Sequence, residues 1–210
     1  MKTAVIHPAY FLNIETMAWG AQSEHIILEV CDNYQKQTFR NRCVIAHSNG
    51  SLILTIPIKH SKTGIRQQTA QVVPEDSFSW QRDHWRSIQT AYRTSPYFEF
   101  YEDELAPLFS SVPKSLLQLN LNIFYLLSEL IGIEATISKT TSYEPTTEAI
   151  DARFLVNCKR KPKTPFASYT QVFGESHGFL QNISVLDLLF NEGPNSISYL
   201  ENLALENYSQ

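Results

Sequence analysis

The first thirty residues constrain the fold most, because two short apolar runs flank a segment with helical periodicity. Residues 2–6 are typical of a short strand, and residues 25–30 contain the continuous apolar run of a buried parallel strand. Between them, residues 13–22 form a predicted helix with Asn13 as its N-cap. A strand, helix, strand unit of this length joins two parallel strands by a right-handed crossover. The sequence therefore predicts an α/β fold.

The ends of these two strands define a first candidate site. His7 and Tyr10 follow the first strand, and Cys31 and Asp32 follow the second. Because parallel strands end at the same edge of a sheet, we expect these side chains to lie near one edge. Open α/β sheets usually bind their ligands there.

A β-hairpin is the clearest local prediction. Residues 38–46 and 52–59 are rich in strand-forming side chains, and they flank the pair Asn49 and Gly50. An Asn-Gly pair is typical of a two-residue type I′ turn, because that turn needs positive φ at both central residues. The predicted sheet is therefore mixed: it is partly parallel, with crossover helices and an inserted antiparallel β-hairpin.

The register that follows from this turn places Cys43 opposite Ile56 and Arg40 opposite Lys59. One face of the hairpin is then the core face, and it carries Phe39, Asn41, Cys43, Ile45, Leu54, Ile56 and Ile58. The other face carries cations, namely Arg40, Arg42 and Lys59, with Lys36 on the same parity if the strand extends back. The sequence thus predicts a cross-strand cation cluster.

Two longer helices are predicted in the middle of the chain. Residues 79–94 form the first, with Ser79 as its cap and His84 turned inward by the three- and four-residue spacing of its apolar face. Residues 116–131 form the second, which is apolar almost all round and ends at Gly132.

A last helix begins at Ser184, which fits a capping box with Asp187, and it stops at Gly193. The segments between the helices are predicted to be connections and short strands: a turn at 60–64, a connecting strand at 65–74, an aromatic connector at 97–101, a strand at 135–138 and a polar loop at 139–165.

Composition excludes several classes of protein. The formal net charge of -4 and the pI near 5.9 argue against broad nucleic-acid binding, which needs many phosphate contacts. The most apolar segment, residues 116–131, is interrupted by polar side chains, so no membrane span is expected. The N-terminus has the pattern of neither a secretory signal nor a transit peptide, so we expect a cytoplasmic protein.

The cysteines and histidines predict no metal site and no disulfide framework. The chain has 3 cysteines without CxxC spacing, and no two of its histidines have the spacing of metal ligands. No motif names a cofactor. With 210 residues and 43% hydrophobic content, one domain over residues 1–210 is the simplest expectation.

An anionic ligand is the functional interpretation of the cation cluster. Like charges that face each other across two strands are unfavourable by roughly 0.2–1 kcal/mol, so an opposite charge is expected beside them. Guanidinium groups hold phosphate and carboxylate groups in paired hydrogen bonds. The alternative is neutralisation by a carboxylate of the protein, such as Glu29 or Asp32. Substrate binding is predicted for Arg40, Arg42, Lys59 and Lys36.

Two histidines are the candidates for proton transfer. His84 is either a general base in a pocket lined by Trp85 and Tyr92 or a buried histidine that hydrogen-bonds to backbone. His7 lies at the end of the first strand, where α/β proteins place ligand contacts.

The remaining candidates are weighed against packing roles. Cys43 is a nucleophile only if it is accessible, and the hairpin places it on the core face, where a thiol behaves as a small hydrophobe. Cys31 has a neighbouring carboxylate that disfavours its thiolate. Tyr10 and Tyr34 are candidates for stacking on a sugar or a base. The basic run at residues 159–163 is either a solvated loop or a lid that grips phosphate.

Several motifs together resemble the WbqC-like proteins, and they cover nearly the whole chain. The matching segments are His7-Pro8-Ala9-Tyr10-Phe11, residues 34–42, Leu54-Thr55-Ile56-Pro57-Ile58, Trp80 with His84-Trp85-Arg86, residues 91–93 with 96–98, and Phe173-Gly174 leading to residues 182–191.

The resemblance implies a place in the biosynthesis of O-antigen or another surface polysaccharide. Together with the cation cluster, it predicts a transferase that acts on an anionic activated donor, either a nucleotide sugar or an acyl thioester, free or bound to a carrier. The alternative is a non-catalytic protein that binds an enzyme of the same pathway through the aromatic connector at residues 97–101.

Overall fold

The computed structural model describes residues 2–59, 67–162 and 165–205. The strands are β1 (Thr3–Ile6), β2 (His25–Leu28), β3 (Arg42–His47), β4 (Gly50–Thr55), β5 (Thr136–Lys139) and β6 (Ile150–Asp151). The helices are α1 (Ile14–Ala21), α2 (Trp80–Tyr92), α3 (Phe98–Leu105), α4 (Leu116–Ile131), α5 (Gly174–His177), α6 (Val185–Glu192) and α7 (Ser196–Asn202).

A four-stranded parallel sheet, in the order β5-β2-β1-β6, confirms the predicted α/β fold. β1 and β2 are paired along their whole length, from Thr3 opposite His25 to Ile6 opposite Leu28. The helix between them begins as predicted, because Asn13 Oδ1 accepts a hydrogen bond from the first turn of α1. The hairpin is a separate two-stranded sheet.

The hairpin has a different register from the predicted one. His47 pairs with Gly50, and Cys43 pairs with Leu54 instead of Ile56. Positive φ in the turn is confined to Gly50, at 111°, so the type I′ turn, which needs it at two residues, is not formed. The pairing is therefore shifted by two residues from the prediction.

The predicted faces of the hairpin survive this shift, because side chains alternate with a period of two residues. Cys43, Ile45, Leu54 and Ile56 are all buried in the core, as expected. Arg42 lies on the opposite face and is half-buried. The predicted register was wrong, but the predicted core residues of the hairpin strands were correct.

The aromatic connector at residues 97–101 was predicted wrongly, because the structure forms α3 there. Phe98 is buried whereas Phe100 is 71% exposed. Leu105, seven residues after Phe98, is also buried, so the apolar face has the spacing of a helix.

Other local predictions were also wrong. Residues Thr69–Gln71 form one 3₁₀ turn where a strand was expected, and both β6 and α7 were unforeseen. Ser184 does cap α6, but Asp187 accepts from Tyr169 Oη at 2.6 Å instead of completing a capping box.

Some predictions concern residues outside the described ranges. They are the turn at 60–64, the beginning of the segment 65–74 and the position of Lys163.

The limits of α4 agree with the prediction, and Gly132 ends this helix with a φ of 86°. Leu116, Ile123, Phe124 and Leu127 of this helix are fully buried. Among the helices that the structure describes, none has the length and apolarity that crossing a membrane requires.

Candidate functional site

The carboxyl ends of the four parallel strands meet at one edge of the sheet, where polar side chains are concentrated. His7 follows β1, Glu29 follows β2, Thr140 follows β5 and Asp151 ends β6. This edge is the expected ligand-binding position of an open α/β sheet. The sequence predicted this location from β1 and β2 alone.

Arg40 is the centre of this cluster, and its side chain is only 1% exposed. Its Nη2 donates to Asp32 Oδ2 and, at 2.9 Å, to His7 Nε2. Its Nη1 donates to Thr38 Oγ1 at 3.3 Å. Asn120 of α4 donates to the Arg40 carbonyl oxygen at 2.7 Å. One guanidinium group therefore joins the loops that follow β1 and β2.

Glu29 and Arg153 form a second buried ion pair at the same edge, with 3.3 Å between Arg153 Nη1 and Glu29 Oε2. Glu29 Oε1 accepts from Thr140 Oγ1 at 2.9 Å, and Arg153 also holds both oxygens of Asp151. The pair links the ends of β2, β5 and β6. This role of Arg153 was not predicted from the sequence, although a carboxylate directly after an apolar strand, as at Glu29, was a usable signal.

The predicted cross-strand cation cluster is not formed. Arg40 lies before β3 and is paired with Asp32, so it does not face Lys59. Lys59 is 44% exposed and pairs with Asp76 at 2.8 Å. Neutralisation by the protein's own carboxylates, which was the alternative interpretation, therefore applies to both of these cations.

Arg42, the first residue of β3, differs from Arg40 and Lys59. Its side chain is half-buried, its Nε is buried without a hydrogen-bond partner, and within residues 2–59, 67–162 and 165–205 it has no ion pair. Burial raises the pKa of the neighbouring Tyr34, while the guanidinium groups of Arg42 and Arg40 act in the opposite direction. Lys36, in the same segment, is exposed. The charges of Arg42 and Arg40 therefore both act on the Tyr34 hydroxyl.

Unpaired polar atoms are concentrated in this part of the molecule. Among the described residues, the buried side-chain atoms without a hydrogen-bond partner include Asp32 Oδ1, Arg40 Nε, Asn41 Oδ1, Arg42 Nε and Asn120 Oδ1. Such atoms are uncommon in folded proteins, and a water molecule or a ligand can satisfy them.

His7 is buried and neutral. Its pKa is well below the usual value, first because of burial and then because of the positive charges of Arg40 and Arg153. Its Nδ1 lies 3.8 Å from Asp32 Oδ2. The predicted proximity of His7 and Asp32 is confirmed.

Tyr10 and His84 form a separate buried pair, with 2.8 Å between Tyr10 Oη and His84 Nδ1. Burial lowers the pKa of His84 to about 4, and the ring also hydrogen-bonds to the Thr55 backbone. Tyr10 is 1% exposed and contacts the ring of Trp80, so it has no free face for a sugar or a base. The inward position predicted for His84 is confirmed.

The cysteines are placed as the sequence suggested. Cys43 is 1% exposed, and burial raises the pKa of its thiol far above the ordinary value. Cys31 is half-buried, with its Sγ 3.5 Å from the Thr140 carbonyl oxygen. Among the described residues, no group of three His, Cys, Asp or Glu side chains is arranged to hold a metal ion.

The basic run is partly fixed to the body of the protein. Arg160 Nη1 lies 2.6 Å from Glu15 Oε2 of α1, whereas Lys159 and Lys161 are exposed. The preceding residues pack against the site, since Phe39 donates from its backbone to Val156 at 2.8 Å.

The model of the WbqC-like protein family matches residues 8–166. The chain belongs to this family. The matched range includes Arg40, Arg42, Tyr34, Tyr10 and His84, so the site described above lies almost entirely within the WbqC-like region.

A relative of this WbqC-like protein is an uncharacterized protein of Mycobacterium tuberculosis, Rv1507c. It is 25% identical over 198 residues, with 80% of this chain and 83% of the relative covered. No solved structure matches the chain.

Proposed function

We propose that this WbqC-like protein binds the anionic part of an activated donor at the edge of the parallel sheet, with Arg42 as the principal cation. The observation that carries the proposal is the difference between Arg42 and its neighbours. Arg40, Arg153, Arg160 and Lys59 each pair with a carboxylate, whereas Arg42 has no ion pair within the described residues. A half-buried guanidinium without a counter-charge is well suited to bind a phosphate or a carboxylate.

The proposed activity is a transfer reaction of surface-polysaccharide biosynthesis in the cytoplasm. A hydroxyl or amine of the acceptor forms a bond to a carbon of the donor, which is a nucleotide sugar or an acyl thioester. The bond from that carbon to the diphosphate oxygen or thiolate sulfur breaks, and the leaving group takes the electron pair. The acceptor's proton passes to a base. Arg42 stabilises the negative charge on the leaving group, while Lys36 and Tyr34 flank it.

His84 is the base in this proposal. Its ring is neutral at physiological pH, as a base must be before it accepts a proton, and it already shares a 2.8 Å hydrogen bond with Tyr10. Both histidines already share a hydrogen bond, but the partners differ: the Tyr10 hydroxyl beside His84 can pass a proton to the ring, whereas the Arg40 guanidinium beside His7 Nε2 cannot.

A binding panel tests the proposal. Purified protein is screened by thermal shift and calorimetry against nucleotide sugars, free nucleoside diphosphates, CoA thioesters and an acylated carrier protein. We expect one of these classes to bind, and Arg42→Gln to weaken that binding by about tenfold to a hundredfold without a change in melting temperature.

Arg86→Gln is the matched control, because it removes the same charge from an exposed position on α2. Equal loss of binding in the two variants, or no binding of any class by the unmodified protein, would exclude the proposed site.

A partner-binding function is the second candidate, and the exposure of Phe100 favours it. This ring on α3 is 71% exposed, and its centroid is 6.0 Å from that of Tyr97. If the protein acts by binding a pathway enzyme, Phe100→Ser abolishes a stoichiometric complex with that enzyme. Arg42→Gln and His84→Gln then leave function intact, which is the opposite of the result expected for a transferase.

A further inference from the structure

We infer that His7 is a positioning residue that acts as a hydrogen-bond acceptor: its Nε2 holds the Arg40 guanidinium, and through Arg40 it fixes Arg42 for the anion. The inference rests on the proposed function in its last step only. Its first step, the state of the His7 ring, is independent of any ligand.

The identity of the donor fixes the tautomer of His7. A guanidinium group carries only N–H donors and has no acceptor. Because Arg40 Nη2 lies 2.9 Å from His7 Nε2, that nitrogen must present its lone pair. The single proton of the neutral ring is then on Nδ1, the nitrogen on the side of Asp32.

The surroundings of His7 favour the neutral ring over the imidazolium. The ring is 8% exposed and is near two guanidinium groups, those of Arg40 and Arg153. Asp32 lies 3.8 Å from His7 Nδ1, but it is already paired with Arg40. The backbone hydrogen bond to Glu29 acts in the opposite direction and raises the pKa of the ring, but burial and the two guanidinium charges outweigh it. A protonated ring would add a third positive charge and would set an N–H against the N–H of Arg40.

Arg40 transmits this constraint to the proposed anion site. It is held by acceptors from three segments: His7 after β1, Asp32 after β2 and Thr38 in its own turn. β3 begins at Arg42, only two residues after Arg40. The side chain that is fixed by His7 therefore sets the point at which the hairpin leaves the sheet edge.

Two substitutions at position 7 distinguish a role of His7 as a hydrogen-bond acceptor from a role in proton transfer. Glutamine offers an amide oxygen that can accept from Arg40, but it does not titrate. Leucine fills similar space and accepts nothing. We therefore expect His7→Gln to preserve the site and His7→Leu to disturb it.

The tautomer is measured by NMR on protein with ¹⁵N-labelled histidine, with the His7 signals assigned by their loss in His7→Gln. We expect a neutral ring with its proton on Nδ1 throughout pH 6 to 8. An imidazolium at pH 7, or a proton on Nε2, would overturn the inference whether or not a ligand is known.

Positioning is measured on the Arg42 Nε–H resonance and on binding of uridine diphosphate as the probe anion. We expect His7→Gln to leave both unchanged, and His7→Leu to move the resonance and weaken binding by at least about tenfold. Both variants are compared at a temperature where circular dichroism shows them folded.

The possible failures of the inference and of the proposed function are distinct. If His7→Gln is as defective as His7→Leu, the imidazole itself is required and the acceptor role is wrong. If His7→Leu leaves the Arg42 resonance unmoved, positioning is wrong. If the unmodified protein binds no anion, the proposed function fails, while the tautomer and the resonance still decide the role of His7.

Discussion

At the scale of single residues, the burial of a charged side chain determines how much its ion-pair partner contributes to the free energy of unfolding. Arg40 and Asp32 are 1% and 5% exposed, whereas Lys59 and Asp76 are 44% and 61% exposed. Removal of one partner from a buried pair leaves an uncompensated charge in the protein interior. The same deletion at the surface leaves a charge that water solvates.

This difference gives a prediction for two matched substitutions. Asp32→Ala is expected to lower the free energy of unfolding by about 3–5 kcal/mol, because it leaves the Arg40 guanidinium buried without its carboxylate. Asp76→Ala is expected to leave the urea midpoint unchanged. If Asp32→Ala also left the urea midpoint unchanged, Arg40 would have found another counter-charge.

The pH dependence of stability is a second residue-scale prediction. Burial lowers the pKa of His84 to about 4 from 6.5, so between these values the unfolded chain binds more protons than the native protein. The free energy of unfolding therefore rises with pH across this range. The contribution of His84 is fully present above about pH 6.5 and is lost as pH falls towards 4; for a shift of this size it amounts to roughly 3 kcal/mol.

His84→Gln isolates this contribution, because glutamine can still accept from Tyr10 but does not titrate. Urea unfolding between pH 4 and 7 is expected to show a shallower rise with pH in the variant than in the unmodified protein. His7 has its pKa shifted in the same direction, so part of the slope remains. Parallel curves for the two proteins would contradict a depressed pKa at His84.

Part of the site could be predicted from residue types, and part could not. The inward position of His84 followed from helical spacing, and the sheet-edge position of His7 and Asp32 followed from strand order. The burial of Arg40 could not be foreseen, because it depends on Asp32 and His7, which belong to two other loops. Local sequence patterns cannot show which of two neighbouring arginines forms an ion pair with a carboxylate of another loop.

At the scale of elements, helices and hairpin faces were predictable because they depend on periodicity. α4 was delimited correctly by its apolar run and by Gly132. The hairpin register was not, since it depends on which residue of the turn adopts positive φ. β6 has only 2 residues, and such a short strand carries no periodicity of its own.

The junction between α6 and α7 gives an element-scale prediction. Gly193 ends α6 with a φ of 53°, and a Cβ added there would lie 2.5 Å from Tyr97 Cδ1. Gly193→Ala is expected to cost about 2–4 kcal/mol in urea unfolding, from left-handed backbone strain and overpacking together. Gly174→Ala is the control, because an added Cβ there would have no described atom from another part of the chain within 4 Å. An equally small effect at both positions would show that Tyr97 moves away without cost.

At the scale of the whole molecule, residues beyond the family match at 8–166 contribute to the same core. Phe190 of α6 is fully buried, and its ring centroid is 5.1 Å from those of Tyr92 in α2 and Phe98 in α3. Backbone contacts continue this connection, since Ser184 donates to Val44 of β3 at 2.7 Å. A single domain over residues 1–210 stays a prediction, and this packing shows where to test it.

A single domain predicts that damage to α6 destabilises all parts of the chain together. Phe190→Ala is expected to lower the free energy of unfolding by about 3–5 kcal/mol, because it opens a cavity between α2, α3 and α6. Phe100→Ala makes the same change on an exposed ring and is expected to have little effect.

Unfolding is followed by far-ultraviolet circular dichroism and by the fluorescence of Trp19, Trp80 and Trp85, which lie in α1 and α2. In one cooperative unit the two signals shift to the same lower midpoint in Phe190→Ala. If the tryptophan signal kept its original midpoint while the dichroism lost part of its amplitude early, α6 would unfold separately and the chain would contain more than one domain.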